Sequence, residues 1–420
     1  MECKGRAAGR RRHGRPAIPR PSGILVPPYR LLFPAAALWS VVVVTATVLT
    51  PGWAPQDSPL GSAGSWHAHE MLFGFVGGIF AGYVLTAMRS WAGRRPVSAR
   101  TAALVLALWV LARLAAWGAL GTDAMLVLPA SVAFLVTVAI LLGAAAWRHC
   151  APKGAVQMLL ALLFAGGQIA LLGNGQAAAP LALMPALLLS AVGGRIVAAF
   201  TWNAIDRTGR QAWRFGAARA LGRVSAPLVL VALVAEIANG ADNALAGIVL
   251  LAAGLAEALR IALWQAARVW KDGLVAMLHL SYLWLPTGLV LEALTQFGTG
   301  IAGRADARHA LLVGAAGGAI YAVAARAVAL RRRRLCAHPA DLWGFGLLFS
   351  GALARTLAAA DARLLDVAAA AWAGAFALFV ARHGRALLRP PPRPAFSGAN
   401  LAATARTGRD PGSRRDASLR

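Results

Sequence analysis

Apolar residues fall in long, nearly unbroken runs along this chain, and short clusters of charge separate them. The runs lie near 31–50, 68–88, 102–120, 125–147, 156–173, 180–201, 220–238, 244–264, 273–294, 308–330, 340–357 and 363–381. About 20 residues suffice to cross a hydrocarbon core about 30 Å thick. Backbone amides in hydrocarbon must satisfy one another, so each run is read as a helix. No period-2 alternation of apolar and polar positions runs through them, which argues against a membrane-spanning barrel. The pattern predicts an all-α, polytopic transmembrane helical bundle of about twelve spans, with a lipid bilayer as its surroundings. No clear internal repeat is read from it.

Composition agrees. The chain of 420 residues is 59% hydrophobic and 14% charged, whereas a soluble domain carries about 25% charged residues. Three regions follow: a basic leader at 1–27, a twelve-span domain at 28–382, and a Pro- and Arg-rich tail at 383–420. Leader and tail have the composition of disordered segments.

A net charge of +26 raises the question of nucleic acid, so the position of the 42 basic residues matters. Sixteen fall in the loops 89–100, 148–155, 202–219, 265–272 and 331–338, eight precede the first span and nine follow residue 381. The six alternate loops hold only Arg304, Arg308 and Arg363. Basic residues are retained on the cytoplasmic face during insertion, so the alternation predicts that both termini are cytoplasmic. Charge spread over every second turn is not the single basic patch of a nucleic-acid reader. No nucleic-acid partner is expected. The first run lacks a cleavage site and is expected to stay as a span. Cys3, Cys150 and Cys336 all fall on the cytoplasmic side, where thiols stay reduced.

Ionisable groups inside a bilayer are expensive and mark sites. Near the outer face the topology places His67, His69, Glu70, His309, Glu236 and Glu292, with Arg113 and Arg355 not far below. In the inner half it places Arg195, Glu257, Arg260, His279 and Arg326. The densest signal is Trp66-His-Ala-His-Glu-Met-Leu-Phe-Gly-Phe75. Imidazole suits copper, zinc and haem iron, and a neighbouring carboxylate orients a ligating ring. This makes His67, His69, Glu70 and His309 the candidate metal ligands. Residues two apart on a helix point about 200° from each other. Either the helix is irregular there, or His67 and His69 serve different partners. His279 sits fully within a span, either as a ligand or hydrogen-bonded to a neighbouring hydroxyl. Arg195 and Arg326 each need a counter-charge: Glu257, an anionic ligand or a haem propionate. His13, His149, His338 and His383 fall in cytoplasmic segments and carry no expected role.

These segments resemble the NnrS family of bacterial inner-membrane proteins. The matching stretches run in order: Pro28-Tyr-Arg-Leu-Leu-Phe-Pro34, His67-Ala-His-Glu-Met-Leu-Phe-Gly-Phe75, Ala81-Gly-Tyr-Val-Leu-Thr-Ala87 with Trp91-Ala-Gly-Arg94, Gly193-Gly-Arg-Ile-Val with Phe200-Thr and Asn203, His279-Leu-Ser-Tyr-Leu-Trp-Leu285, and His309-Ala-Leu-Leu-Val-Gly314. The chain departs from the family pattern at Arg89-Ser90, at Ala198-Ala199 and at Leu330-Arg-Arg-Arg-Arg-Leu335, where a further histidine is usual. The resemblance implies haem and copper as cofactors, a role in nitric oxide metabolism or nitrosative stress, and nitric oxide as a small ligand. It implies His67, His69, His279 and His309 as ligands, with Arg195 and Arg326 beside the cofactor. A catalytic copper–haem oxidase would show an adjacent His-His pair, and none is present, so enzymatic turnover stays open. The alternatives are a secondary transporter of a small anion or metal complex, and a purely structural or assembly role.

Overall fold

The computed structural model describes residues 27–92, 97–207, 215–240, 242–331 and 336–388. Most of the expected leader and tail, with Cys3, His13, Arg94 and positions 332–334, lies outside the described residues. Every described element is a helix or turn, with no strand. Eleven helices are long and apolar enough to cross a membrane. They are α1 (Tyr29–Leu49), α2 (Ala63–Ser90), α3 (Ala99–Trp117), α4 (Ala124–His149), α5 (Pro152–Gly173), α6 (Ala178–Ile205), α7 (Phe215–Asn239), α8 (Ala244–Arg268), α9 (Gly273–Gln296), α10 (Arg304–Ala329) and α12 (Arg363–Leu387). A shorter helix, α11 (Pro339–Thr356), packs along α10 and α12 and completes the twelve. The chain is a multi-pass helical membrane protein.

Local chemistry sets the starts. Ser62, Ser98, Asp123, Asn243 and Asp272 each accept a hydrogen bond from a backbone N–H of the first turn, covering donors a helix cannot satisfy itself. Large apolar side chains such as Leu126, Leu159, Ile140 and Trp147 face outward, as a lipid-facing wall requires.

The spans are not equivalent in depth. The apolar windows of α2, α6, α9 and α10 are buried over 67–78% of their length, against 33–44% for the other seven. The central group of α2, α6 and α10 stands one unit of four spans apart, and the repetition extends to detail. Each contains a π-helical stretch, Glu70–Val76, Leu189–Gly193 and Ala310–Gly317, ending at the glycine pair 77–78, 193–194 or 317–318. Eight residues before each pair stand His69, Pro185 and His309. The spans after the central ones carry Leu111-Ala-Arg113, Val234-Ala-Glu236 and Leu353-Ala-Arg355 in or near their last turn, and each is followed by a capping Asp123, Asn243 or Asp361. Packing repeats as well: α3 on α4, α7 on α8 and α11 on α12 within units, and α4 on α5, α8 on α9 and α12 on α1 between them. These shared features mark a pattern that recurs every four spans, near 29–149, 152–268 and 273–387, where the apolar runs alone gave no clear repeat.

A π stretch adds a residue to the turn and frees carbonyls from their usual partners. In two units a neighbouring span supplies the missing donor at the same place. Trp109 Nε1 donates to Gly74 O at 2.9 Å, and Arg260 Nη1 donates to Ser190 O at 3.0 Å.

Candidate functional site

The end of α1 and the starts of α2 and α10 bring His67 and His309 within electrostatic reach of each other and of Arg355. Both rings are half-buried. The Thr47 hydroxyl donates to Val43 O at 2.8 Å, so it accepts from His67 Nδ1 at 2.9 Å. His309 Nδ1 donates to Ala305 O at 2.6 Å. The partners therefore assign the same tautomer to both rings, with the proton on Nδ1 and a lone pair on Nε2. Neither Nε2 has a hydrogen-bond partner among the described residues. Orienting a ligating imidazole through its other nitrogen is how protein metal and haem sites are built. Arg355 Nη1 is held by Asp306 Oδ1 at 2.5 Å, so the positive charge beside the pair is itself balanced.

His69 and Glu70 belong elsewhere. His69 Nδ1 lies 2.7 Å from Glu70 Oε1, and the Gln168 amide nitrogen of α5 approaches His69 Nε2 at 3.1 Å. With Nδ1 protonated towards the carboxylate, His69 Nε2 accepts and no lone pair remains. Glu70 also accepts from Trp39 Nε1 at 2.5 Å and pairs with Arg113 Nε at 2.6 Å. His69, Glu70 and Arg113 are buried. Of the four residues expected as metal ligands, the structure brings together His67 and His309 and ties His69 and Glu70 into a closed ion-pair network. The two neighbouring histidines serve different partners, as helical geometry allows.

His279 lies deeper, on α9. Thr201 donates to Val197 O at 2.8 Å and so accepts from His279 Nε2 at 2.9 Å. The remaining nitrogen, Nδ1, is buried with no hydrogen-bond partner among the described residues. A buried acceptor left unpaired costs about 1–3 kcal/mol. Such an orphaned lone pair fits a ligand the polypeptide does not supply. Nearby, the Arg326 guanidinium lies over the Phe200 ring, 4.0 Å from its centroid. Arg195 is exposed and within electrostatic reach of Tyr83 on α2.

Arg195 is not the partner of Glu257. That carboxylate takes Arg260 Nη1 at 3.1 Å, Ser190 and Ser225 hydroxyls at 2.5 Å each, and Tyr282 OH at 2.9 Å. The Arg260 guanidinium fits because Gly194 and Gly222 face it; a Cβ on either would stand 2.4 Å from its central carbon. The sequence also misled at His383. It is buried inside α12, with Nε2 2.5 Å from Asp341 Oδ1, and His338 caps α11. Thr47, Gln168 and Asp306 were not signalled by any motif, since each matters only through a residue far off in sequence.

Fold and site define a multi-pass membrane protein that presents paired imidazoles at one end of its central helices. The chain matches the NnrS protein family across residues 24–391 and belongs to that family. Membership supports a membrane protein of the nitric oxide response in general, and the family is associated with haem and copper. No curated protein matches the chain.

Proposed function

We propose that this protein binds haem and copper in the bacterial inner membrane and acts there in nitric oxide metabolism or the nitrosative stress response. The reading rests on one observation above all: His67 and His309, from different units, both present an Nε2 lone pair while Nδ1 is fixed. These two residues would hold a metal centre at the outer end. His279 Nδ1 offers a second, deeper ligating nitrogen, with Arg326 and Arg195 as cationic neighbours for propionate groups. His69 and Glu70 support the fold beside the site. Haem or copper, when bound, supplies a redox-active centre able to coordinate nitric oxide. The chain's own residues fix ring orientation through Thr47 and Ala305, hold positive charge at Arg355, and exclude water with the apolar walls of α1 and α2. The basic loops and both termini are assigned to the cytoplasm, with the segment before α1 as a basic leader and the segment after α12 as an Arg-rich tail.

The test is purification in detergent with an absorption spectrum and metal analysis. A Soret band or stoichiometric copper is expected in the wild type and is lost in His67→Ala and His309→Ala. Absence of both signals from the wild type sinks the reading.

A further inference from the structure

The threefold repeat supplies an internal comparison at its three outer junctions. In the first unit Arg113 meets one carboxylate, Glu70, at 2.6 Å. In the third, Arg355 meets one carboxylate, Asp306, at 2.5 Å. Each junction balances one charge with one. In the second unit the equivalent position holds an acid, Glu236, and the polarity is reversed. Its partner is Arg308 of α10, whose Nη2 lies 3.8 Å from Glu236 Oε2. A second carboxylate, Glu292 of α9, lies 3.3 Å from Nε of the same arginine. Two carboxylates thus share one guanidinium.

Among the described residues one further cation, Arg304, reaches both carboxylates electrostatically. Arg304 is committed to an ion pair with Asp242 at the exposed rim. The Gln296 amide nitrogen donates to Glu236 Oε1 at 2.8 Å, and its carbonyl accepts from the Asn243 backbone N–H at 3.0 Å, which fixes the side chain's orientation. Glu292 is 0% exposed, and neither of its oxygens accepts a hydrogen bond. Two buried carboxylates that share a single guanidinium cannot both stay ionised without a large desolvation cost. Among the described residues, the groups acting on Glu292 from α7, α9 and α10 are Glu236, Gln296, Arg304 and Arg308, and with Arg304 taken up by Asp242 one negative charge is left in excess.

We propose that Glu236 and Glu292 form a proton-binding pair, holding one exchangeable proton between them at the α7–α9–α10 junction. The proton is taken from water at the outer face, where Asp242 and Arg304 reach the surface, and is carried as a carboxylic O–H. The carboxylate that stays ionised keeps Arg308, Glu236 keeps the Gln296 amide, and the other carboxyl carries the proton. The pair stands whether or not His309 holds a cofactor, although Arg308 is the chain neighbour of His309.

Infrared difference spectroscopy of the full-length protein in lipid nanodiscs, between acid and alkaline pH, tests this directly. The wild type is expected to show a carboxylic C=O band of a desolvated acid that disappears on alkalinisation and shifts in heavy water. Glu292→Gln and Glu236→Gln, read separately, each abolish it, while Asp242→Asn leaves it. Thermal unfolding gives a second readout. Glu292→Gln removes the surplus charge and is expected to keep or raise the melting temperature. A wild type without such a band, a band indifferent to both substitutions, or strong destabilisation by Glu292→Gln overturns the proposal. So does alkaline stability that depends on added sodium without a protonated-acid band, because the pair would then be a cation site.

Discussion

His67 Nδ1 stands 2.9 Å from a Thr47 hydroxyl whose own proton is already given to Val43 O. That commitment decides which ring nitrogen of His67 is left to bind something else. Replacing Thr47 by Val removes the acceptor while keeping the shape of the side chain. Loss of such an outer partner typically weakens metal affinity roughly 10–100-fold. Thr47→Val is expected to fall in that range, read as copper or haem retained after dialysis against a competing chelator. Thr47→Ser should retain the wild-type value. Equal retention in both variants would show that the hydroxyl does not set the ring.

The Glu70–Arg113 pair is buried on both sides, with Glu70 at 0% and Arg113 at 3% exposure. Breaking one partner of a buried pair strands the other charge and costs about 3–5 kcal/mol. Glu70→Gln is therefore expected to lower unfolding stability in mixed micelles by an amount of that order. Glu70→Gln with Arg113→Met should recover much of the loss, since no charge then remains. If the double variant is no more stable than the single one, the ion pair is not what holds α2 to α3.

Adjacent glycines on α5 and the pair on α6 separate packing from propensity. A Cβ on Gly194 would stand 2.4 Å from the Arg260 guanidinium carbon, whereas Gly166 has nothing within 4 Å. Gly194→Ala must push Arg260 off Glu257, and overpacking of this kind costs about 1–3 kcal/mol. Gly166→Ala faces lipid and is expected to be neutral or mildly stabilising. Unfolding curves of the two variants, side by side, check the contrast. Comparable destabilisation at both positions would contradict it.

The sequence made the membrane fold legible because length and polarity of each run are local properties, and a bilayer reads them one helix at a time. All twelve helices lie where the apolar runs fall, with ends shifted by up to six residues where helices continue past the hydrocarbon, as α12 does to Leu387. That His67, His69 and His309 stand near the starts of α2 and α10 was legible for the same reason. Their partners were not. Whether His69 faces a metal or Gln168 depends on how α5 packs against α2, and neither residue records that locally. Asp306 gains its role only when α11 brings Arg355 to it. The threefold repeat escaped notice because only glycine pairs, caps and one polar position per unit persist, while loops and bulky side chains differ between units.

The division between the two neighbouring histidines gives the sharpest expectation. His69 Nε2 accepts from the Gln168 amide and its Nδ1 is held by Glu70, so removing Gln168 strands a nitrogen without creating or destroying an outer metal site. Gln168→Leu is expected to lose roughly 1–3 kcal/mol of stability, the penalty for an unsatisfied buried group, and to keep its cofactor content. His69→Ala should behave alike, destabilised but loaded. His309→Ala removes an unpartnered Nε2 lone pair and only the one bond to Ala305, so it should stay stable and come out depleted. Metal content and melting temperature measured on the same three preparations would order them. Depletion in His69→Ala without loss of stability would move the ligand role from His67 to His69, and the hydrogen bond to Gln168 would then have to break when the cofactor binds.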